Sequence, residues 1–267
     1  MTNTKVVAII NITPDSFSDG GACFDADFAI QAIAKQIEEG ADVIDIGAES
    51  TRPGGATLIT PEEEWQRLEP VLKALPRFVD TPVKFSVDTR QAETARRALD
   101  TGIHWINDVT GFSDPAMLAA VRSSECKLVV MHSLTIPADK NVIMTEPDVV
   151  SALLQWAKSR LDNIRAGGIA DNRIIFDPGI GFGKNATQSL SILCGIDRFS
   201  ALNVPILIGH SRKSFFAGLG IEKMADRDDA TLAVSQYLAQ RGVDYLRVHN
   251  VIRHKQMLTI LKALSYG

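Results

Sequence analysis

Cysteine is scarce in this chain of 267 residues: Cys23, Cys126 and Cys194 are widely spaced and include no Cys-x-x-Cys pair. An odd number at such separations supplies neither a disulfide framework nor a zinc site, and it fits a reducing, cytoplasmic location. Long apolar runs are also missing. No stretch approaches the ~20 apolar residues of a membrane span, and the first residues lack the charged and apolar regions of a secretory leader. Positive charge is not in excess, since the formal net charge is -4. That balance leaves no basic footprint for nucleic acid or an anionic membrane. No His-x-His or His-Glu-x-x-His pattern forms a metal cage. Low-complexity segments and dividing linkers are absent, so residues 1–267 are expected to form a single domain.

What is present is an ordinary globular composition, 45% hydrophobic and 22% charged, with enough chain for a large core. Short apolar runs alternate with amphipathic stretches throughout. Strands are expected at Val6–Ile10, Val43–Ile46, Val83–Val87, Trp105–Ile106, Leu128–Val130, Ile174–Phe176, Ile206–Ile208 and Tyr245–Val248. Eight strands, each followed by a helix, describe an α/β chain folded as a TIM-type (β/α)8 barrel with its active site at the C-terminal ends of the strands. Helix starts are expected at Thr60-Pro61, where Glu63 would close a capping box, and at Asp114-Pro115 and Glu146-Pro147. A weak repeat supports the barrel. Gly40, Gly102 and Gly242 each stop a helix before a short strand that ends on a polar residue. The segments from Asn11 to about Asp25 and from Gly47 to about Thr60 are long, rich in Gly, Pro, Ser and Asp, and read as binding loops.

The stretch from Arg173 to Lys184 changes character at Asp177, where a β-branched and aromatic run gives way to an acid and a glycine-rich turn. Pro178 and Asn185 occupy places that a Walker A loop needs for glycine and Ser or Thr, so this is not a nucleotide phosphate loop. Other strand ends extend the pattern. Asn11, Asp45 with Glu49, Asp88, Asn107, His132, Asp177, Ser211 with Lys213, and Arg247 with His249 form a polar ring on one face. Asp45 and Glu49 are expected to cap helices or fix turns, and His132 and His104 to be satisfied structural histidines. Asp88, Asn107 and Asp177 suit a flat heterocycle with several N–H donors. Arg52, Lys213, Arg247 and His249 suit a phosphate or diphosphate.

Seven segments complete the pattern: Asn11 to Gly21, Glu49-Ser-Thr-Arg-Pro-Gly54, Ser86-Val-Asp-Thr89, Asn107-Asp-Val109, Asp177 to Lys184, Ser211-Arg-Lys-Ser214 and Arg247-Val-His249. In kind and order they resemble the dihydropteroate synthases, pterin-binding barrels, over essentially the whole chain. The resemblance implies condensation of 6-hydroxymethyl-7,8-dihydropterin diphosphate with p-aminobenzoate, with Mg²⁺ as cofactor, homodimer formation and inhibition by sulfonamides. It implies that Asp88, Asn107, Asp177 and Lys213 hold the pterin. Asn11, Thr51, Arg52, Arg247 and His249 would hold the diphosphate, Asn11 also meeting the metal. Phe17, Pro53, Phe182, Ser211 and Arg212 would form the p-aminobenzoate site, and Asp88, Lys213, Arg247 and His249 would act in catalysis. Asn250 departs from the family pattern, in which Asp usually follows the histidine. Alternatives are a pterin-dependent methyltransferase, which would share the acidic set without needing the cations, and a non-catalytic pterin-binding paralogue.

Overall fold

The computed structural model describes residues 3–12, 26–50 and 58–265. Eight strands carry the fold: β1 (Lys5–Asn11), β2 (Val43–Gly47), β3 (Lys84–Asp88), β4 (Trp105–Asp108), β5 (Lys127–Met131), β6 (Ile174–Asp177), β7 (Leu207–Ile208) and β8 (Tyr245–Val248). Each is followed by a helix: α1 (Ala26–Glu38), α2 (Pro61–Ala74), α3 (Ala92–Asp100), α4 (Pro115–Arg122), α5 (Val149–Ala166), α6 (Ala186–Cys194), α7 (Arg227–Gln240) and α8 (Val251–Leu264). All eight expected strands are present: five are longer by one or two residues, β3 is shifted by one toward its C-terminal end, β7 is one residue shorter and β8 has the expected bounds.

The strands pair in parallel in the order β6-β5-β4-β3-β2-β1-β8-β7. One parallel bridge, Phe176 to Ile206, closes the circle between β6 and β7. The contact is thin for a local reason. Pro205 has no N–H to give to the ladder, so only its carbonyl takes part, accepting from Phe176 N–H at 2.9 Å. The Ile206 N–H turns instead to the Asp244 carboxylate at 2.8 Å.

Alternation along the strands explains both the core and the site. Successive strand side chains point to opposite faces. One set, including Ala8, Ile44, Phe85, Ile106, Leu128, Ile174, Ile208 and Leu246, packs against the helices in the main core. The other set packs in a separate small cluster inside the barrel: Val7, Val43, Trp105, Val129, Ile175 and Leu207, with Tyr245 half-buried against them. Trp105 meets Tyr245 edge-on at 5.0 Å between ring centroids. Two residues further along their strands come Asp45, Asn107, Asp177 and Arg247. The lower layer of the barrel is therefore apolar, and the layer above it is polar and ionisable.

The helix starts follow capping chemistry. Thr60 accepts from the Glu63 N–H with Pro61 in the first turn, but the Glu63 carboxylate pairs with Arg67 at 2.6 Å and does not complete a capping box. Asp114 caps α4 as expected. The start expected at Glu146-Pro147 lies two residues later, because Asp148 accepts from both Val150 and Ser151 N–H groups and begins α5 there. Gly40, Gly102 and Gly242 all have positive φ, at 90°, 87° and 76°, the left-handed stop that glycine takes without strain.

Candidate active site

Strand register brings the first residues together. Asn11 lies opposite Gly47, Gly47 opposite Asp88, and Asp88 opposite Asn107, at the C-terminal ends of β1 to β4. Gly47 matters here because a Cβ on it would come within 3.3 Å of the Asp88 Cβ. Across the barrel, Arg247 donates through Nε to Asp45 at 2.6 Å and through Nη2 to Asp88 at 2.7 Å. Asn107 Nδ2 donates to the same Asp45 oxygen at 2.9 Å.

Asp45 is thus no turn residue or helix cap, contrary to the sequence expectation. It is buried at 1% exposure and joins the acid of β3, the amide of β4 and the cation of β8. Its position in the strand pattern carried the signal, since it stands two residues after the inward Val43 just as Asp177 stands two after Ile175. Glu49 is likewise no cap. Its buried carboxylate takes Arg90 Nε and Nη2 at 2.7 and 2.9 Å and accepts the Ile59 N–H at 3.0 Å. That clamp ties the chain after β2, and the entry to α2, to the segment just beyond Asp88.

On the opposite wall, Asp177 accepts the Gly179 N–H at 2.7 Å. A Cβ on Gly209 would sit 3.6 Å from Asp177 Oδ2 and 3.8 Å from Arg247 Cδ, so glycine there keeps the space between acid and cation open. Lys213 reaches over the glycine-rich turn: its Nζ donates to the Ile180 carbonyl and lies 4.5 Å from the centre of the Phe182 ring. Burial pushes the Lys213 ammonium down to about 8, with Asp177 the main group holding it up. Burial also raises the Asp177 carboxyl, against the pull of Lys213. Asp88 is raised by burial in the same way, with Arg247 opposing. The mouth therefore holds acids and cations whose charges are poised against a low-dielectric wall, a common property of reactive sites.

The glycine-rich turn is keyed to β5. Gly179 has φ 68°, and a Cβ on it would lie 2.0 Å from the His132 carbonyl oxygen. Lys184 is buried beneath the turn, its Nζ 2.8 Å from His132 Nδ1 and donating to the Phe182 carbonyl at 2.8 Å. His132 is thus a satisfied buried histidine, and burial lowers its imidazole to about 3. His104 is satisfied as well, accepting the Phe85 N–H at 3.2 Å. The Lys184 anchor was not anticipated, and its only sequence signal is a lysine closing an otherwise apolar and glycine-rich run.

Ser211 and His249 meet after β7 and β8, with Ser211 Oγ 2.9 Å from His249 Nδ1. Arg212 turns away from the polar cluster and forms a two-pronged pair with Asp228 at 2.6 and 2.8 Å. Asn250 caps α8 by accepting the Arg253 N–H. It also lies against Asp228, whose carboxyl the Arg212 and Asn250 contacts hold below the usual range. An amide can donate to that carboxylate, whereas an acid at position 250 would repel it. Phe17, Thr51, Arg52 and Pro53 lie outside the described residues, as do residues 13–25 and 51–57 of the two long segments. Among the described residues no cluster of three or more His, Cys, Asp or Glu is placed to hold a metal, and no helix is long and apolar enough to cross a membrane.

The profile of the family described as pterin binding enzyme matches residues 7–249. The dihydropteroate synthase type-3 of Escherichia coli is 38% identical over 267 residues, covering 98% of this chain and 100% of that protein. The chain belongs to the dihydropteroate synthase family. The dihydropteroate synthase of Anaplasma phagocytophilum, solved with bound 6-hydroxymethylpterin-monophosphate, superposes with a TM-score of 0.90 at 39% identity, covering 98% of this chain and 99% of that one. Other relatives are larger. A probable bifunctional folylpolyglutamate synthase/dihydropteroate synthase of Haloferax volcanii is 40% identical over 93% of this chain, which spans only 29% of that protein's length.

Proposed function

We propose that this chain, acting as one domain, is a dihydropteroate synthase that joins 6-hydroxymethyl-7,8-dihydropterin diphosphate to p-aminobenzoate with release of diphosphate. The observation that carries the proposal is the barrel mouth itself, where Arg247 ties Asp45 to Asp88 beside Asn107, while Asp177 and Lys213 face them. Asp88, Asn107 and Asp177 accept from and donate to the pterin ring, and Lys213 lies at its edge. Arg247 has more N–H donors than the two carboxylates use, and with His249, Asn11, Thr51 and Arg52 it receives the diphosphate.

No covalent enzyme intermediate is required. Departure of diphosphate leaves positive charge on the exocyclic methylene, which the electron-rich dihydropterin ring delocalises. Arg247, His249 and Lys213 stabilise the leaving anion as fixed charges, and Asp88 and Asp177 stabilise the cation. The neutral arylamine is already nucleophilic, so Phe182 and Ser211, with Phe17 and Pro53, need only orient it and exclude water; Arg212, expected beside it, is instead taken up by Asp228. This is also the pocket a sulfonamide would occupy. Asn11 offers a single neutral oxygen and the described residues form no carboxylate cage, a donor set that fits Mg²⁺ held chiefly by substrate phosphate and water. Bound so, the ion would neutralise charge on the departing diphosphate.

The chain is further assigned to the cytoplasm and to a homodimer formed through its late helices, which leave Ile252, Ile260 and Leu264 exposed on α8. Small molecules are its substrates, and nucleic acid and membrane are not partners. Chromatographic detection of dihydropteroate from the two substrates tests the activity. Its absence with folded protein, with pterin binding intact, would move the function to a paralogue or a methyltransferase.

A further inference from the structure

Lys184 has no part in the substrate roles above, yet it is a lysine buried at 6% exposure. Among the described residues its Nζ has three partners. It donates to the Phe182 carbonyl at 2.8 Å and to the His132 carbonyl at 3.3 Å, and it lies 2.8 Å from His132 Nδ1. A lysine ammonium carries three N–H groups and is costly to bury unless they are used. With Nδ1 as an acceptor all three are used. Two of the acceptors belong to the chain just after β5 and one to the glycine-rich turn, so the side chain clamps the two together.

The β5 side of this clamp is fixed by the barrel. The His132 N–H donates to the Asp177 carbonyl at 3.1 Å, extending the β5–β6 ladder, and the His132 ring meets Trp156 of α5 edge-on at 4.7 Å between centroids. The backbone at Lys184 is fixed by α6. Asn185, directly after it, forms a capping box with Gln188, whose Nε2 donates to the Met144 carbonyl at 2.7 Å, while the Met144 N–H donates to the Gly183 carbonyl at 2.9 Å. Between these supports stands Phe182, half-buried, with Lys213 Nζ 4.5 Å from the centre of its ring. One lysine therefore bonds the Phe182 peptide from beneath, and another meets its ring at the barrel mouth.

We infer that Lys184 is a positioning residue for the arylamine, its bond to the Phe182 carbonyl, anchored on His132, setting where the Phe182 ring stands at the mouth. Lys184 acts through Phe182 and touches no substrate. Gly181 and Gly183 flank Phe182, and glycine restrains its own backbone least of all residues, so a side-chain bond has to supply the restraint. A ring fixed before the arylamine arrives binds it more tightly than one that must be ordered on binding. This role rests on the proposed place of Phe182 beside the arylamine.

Steady-state kinetics of Lys184→Met, in which an apolar chain of similar length fills the same space, read the effect. The KM for p-aminobenzoate should rise roughly 10-fold, the loss of about one hydrogen bond, while the affinity for the pterin diphosphate, measured by calorimetry, stays at the wild-type value. Lys184→Gln, polar but one atom shorter, cannot keep all three bonds; it should move the same KM in the same direction, and it decides the matter where Lys184→Met does not fold. The rise should vanish in a Phe182→Leu background, which has no ring to place, whereas a merely structural lysine would weaken both backgrounds alike. An unchanged arylamine KM, an equal loss of pterin affinity or full additivity with Phe182→Leu would overturn the inference. Fluorine NMR of the full chain carrying 4-fluorophenylalanine needs no turnover. The Phe182 signal, identified by its loss in Phe182→Leu, should move in the Lys184 variants, and an unmoved signal would overturn the inference as well. An inactive wild type whose Phe182 signal moves in the variants would strike the functional proposal alone. An active wild type whose KM and signal stay unmoved in the variants would strike this inference alone.

Discussion

Arg247 donates to Asp45 across the barrel mouth from 202 residues away in the chain, at 2.6 Å. The bond joins the last strand to the second and holds the guanidinium where it also meets Asp88. Replacing Asp45 by Ala leaves Arg247 Nε and the Asn107 amide without their shared acceptor at a buried place, and loss of one member of such a pair costs about 3–5 kcal/mol. Asp45→Ala should therefore lower the midpoint of urea unfolding. Asp45→Asn should fold better yet lose roughly 10- to 100-fold in turnover, or about 1.4–2.7 kcal/mol, as Arg247 loses its anchor. Wild-type stability and turnover in both variants would contradict this role.

Lys213 lies close enough to neutrality to be tested by pH. Its ammonium is lowered to about 8 by burial, so its charge is lost as pH rises through that value. Binding of the pterin diphosphate should weaken above pH 8, and Lys213→Ala should cut turnover at least ~100-fold, about 2.7 kcal/mol of transition-state stabilisation. Pterin diphosphate affinity measured by calorimetry across this range, staying flat from pH 7 to 9, would argue against the assignment.

Glu64 gives the stability of the fold a definite pH slope. It is fully buried on α2, accepts from Thr89 Oγ1 at 2.8 Å, and burial raises its carboxyl from 4.5 to about 7 against its threonine hydrogen bonds. Between those values the folded chain keeps a proton that the unfolded chain releases, so stability falls as pH rises through this window. Glu64→Gln removes that loss and should gain on the wild type across the window, by an amount on the order of 3 kcal/mol at its upper end. Urea unfolding at several pH values measures it, and parallel curves for the two proteins would refute it.

The strand pattern made the barrel legible: eight apolar runs separated by helical stretches were enough, because parallel β/α alternation admits few architectures. Asp88, Asn107, Asp177, Lys213 and Arg247 were legible too, each standing at or just beyond a strand end. Asp45 was not. An acid one residue before an apolar strand end reads as a turn former, and only the two-residue alternation from Val43 shows that it points inward. The turning of Arg212 toward Asp228 was equally hidden, since that pair depends on how α7 docks beside β7. The late start of α5 turned on competition between two candidate caps that only the backbone geometry of Asp148 decides.

The glycine-rich turn allows a sharp steric prediction. With φ 68° and the His132 carbonyl 2.0 Å from where a Cβ would stand, Gly179→Ala must displace the turn that carries Ile180 and Phe182. Left-handed backbone alone costs a residue with a Cβ roughly 1–2 kcal/mol, and the clash adds to it. Thermal unfolding should fall by several degrees and the arylamine KM should rise. An unchanged melting temperature would mean the turn is not keyed to β5 as described.

Release of diphosphate from 6-hydroxymethyl-7,8-dihydropterin diphosphate with Mg²⁺, followed with and without p-aminobenzoate, tests the proposed reaction most directly. Release should depend on the arylamine, with dihydropteroate appearing in equal amount and a sulfonamide competing with p-aminobenzoate. Pterin binding without any arylamine-dependent release would contradict the synthase assignment.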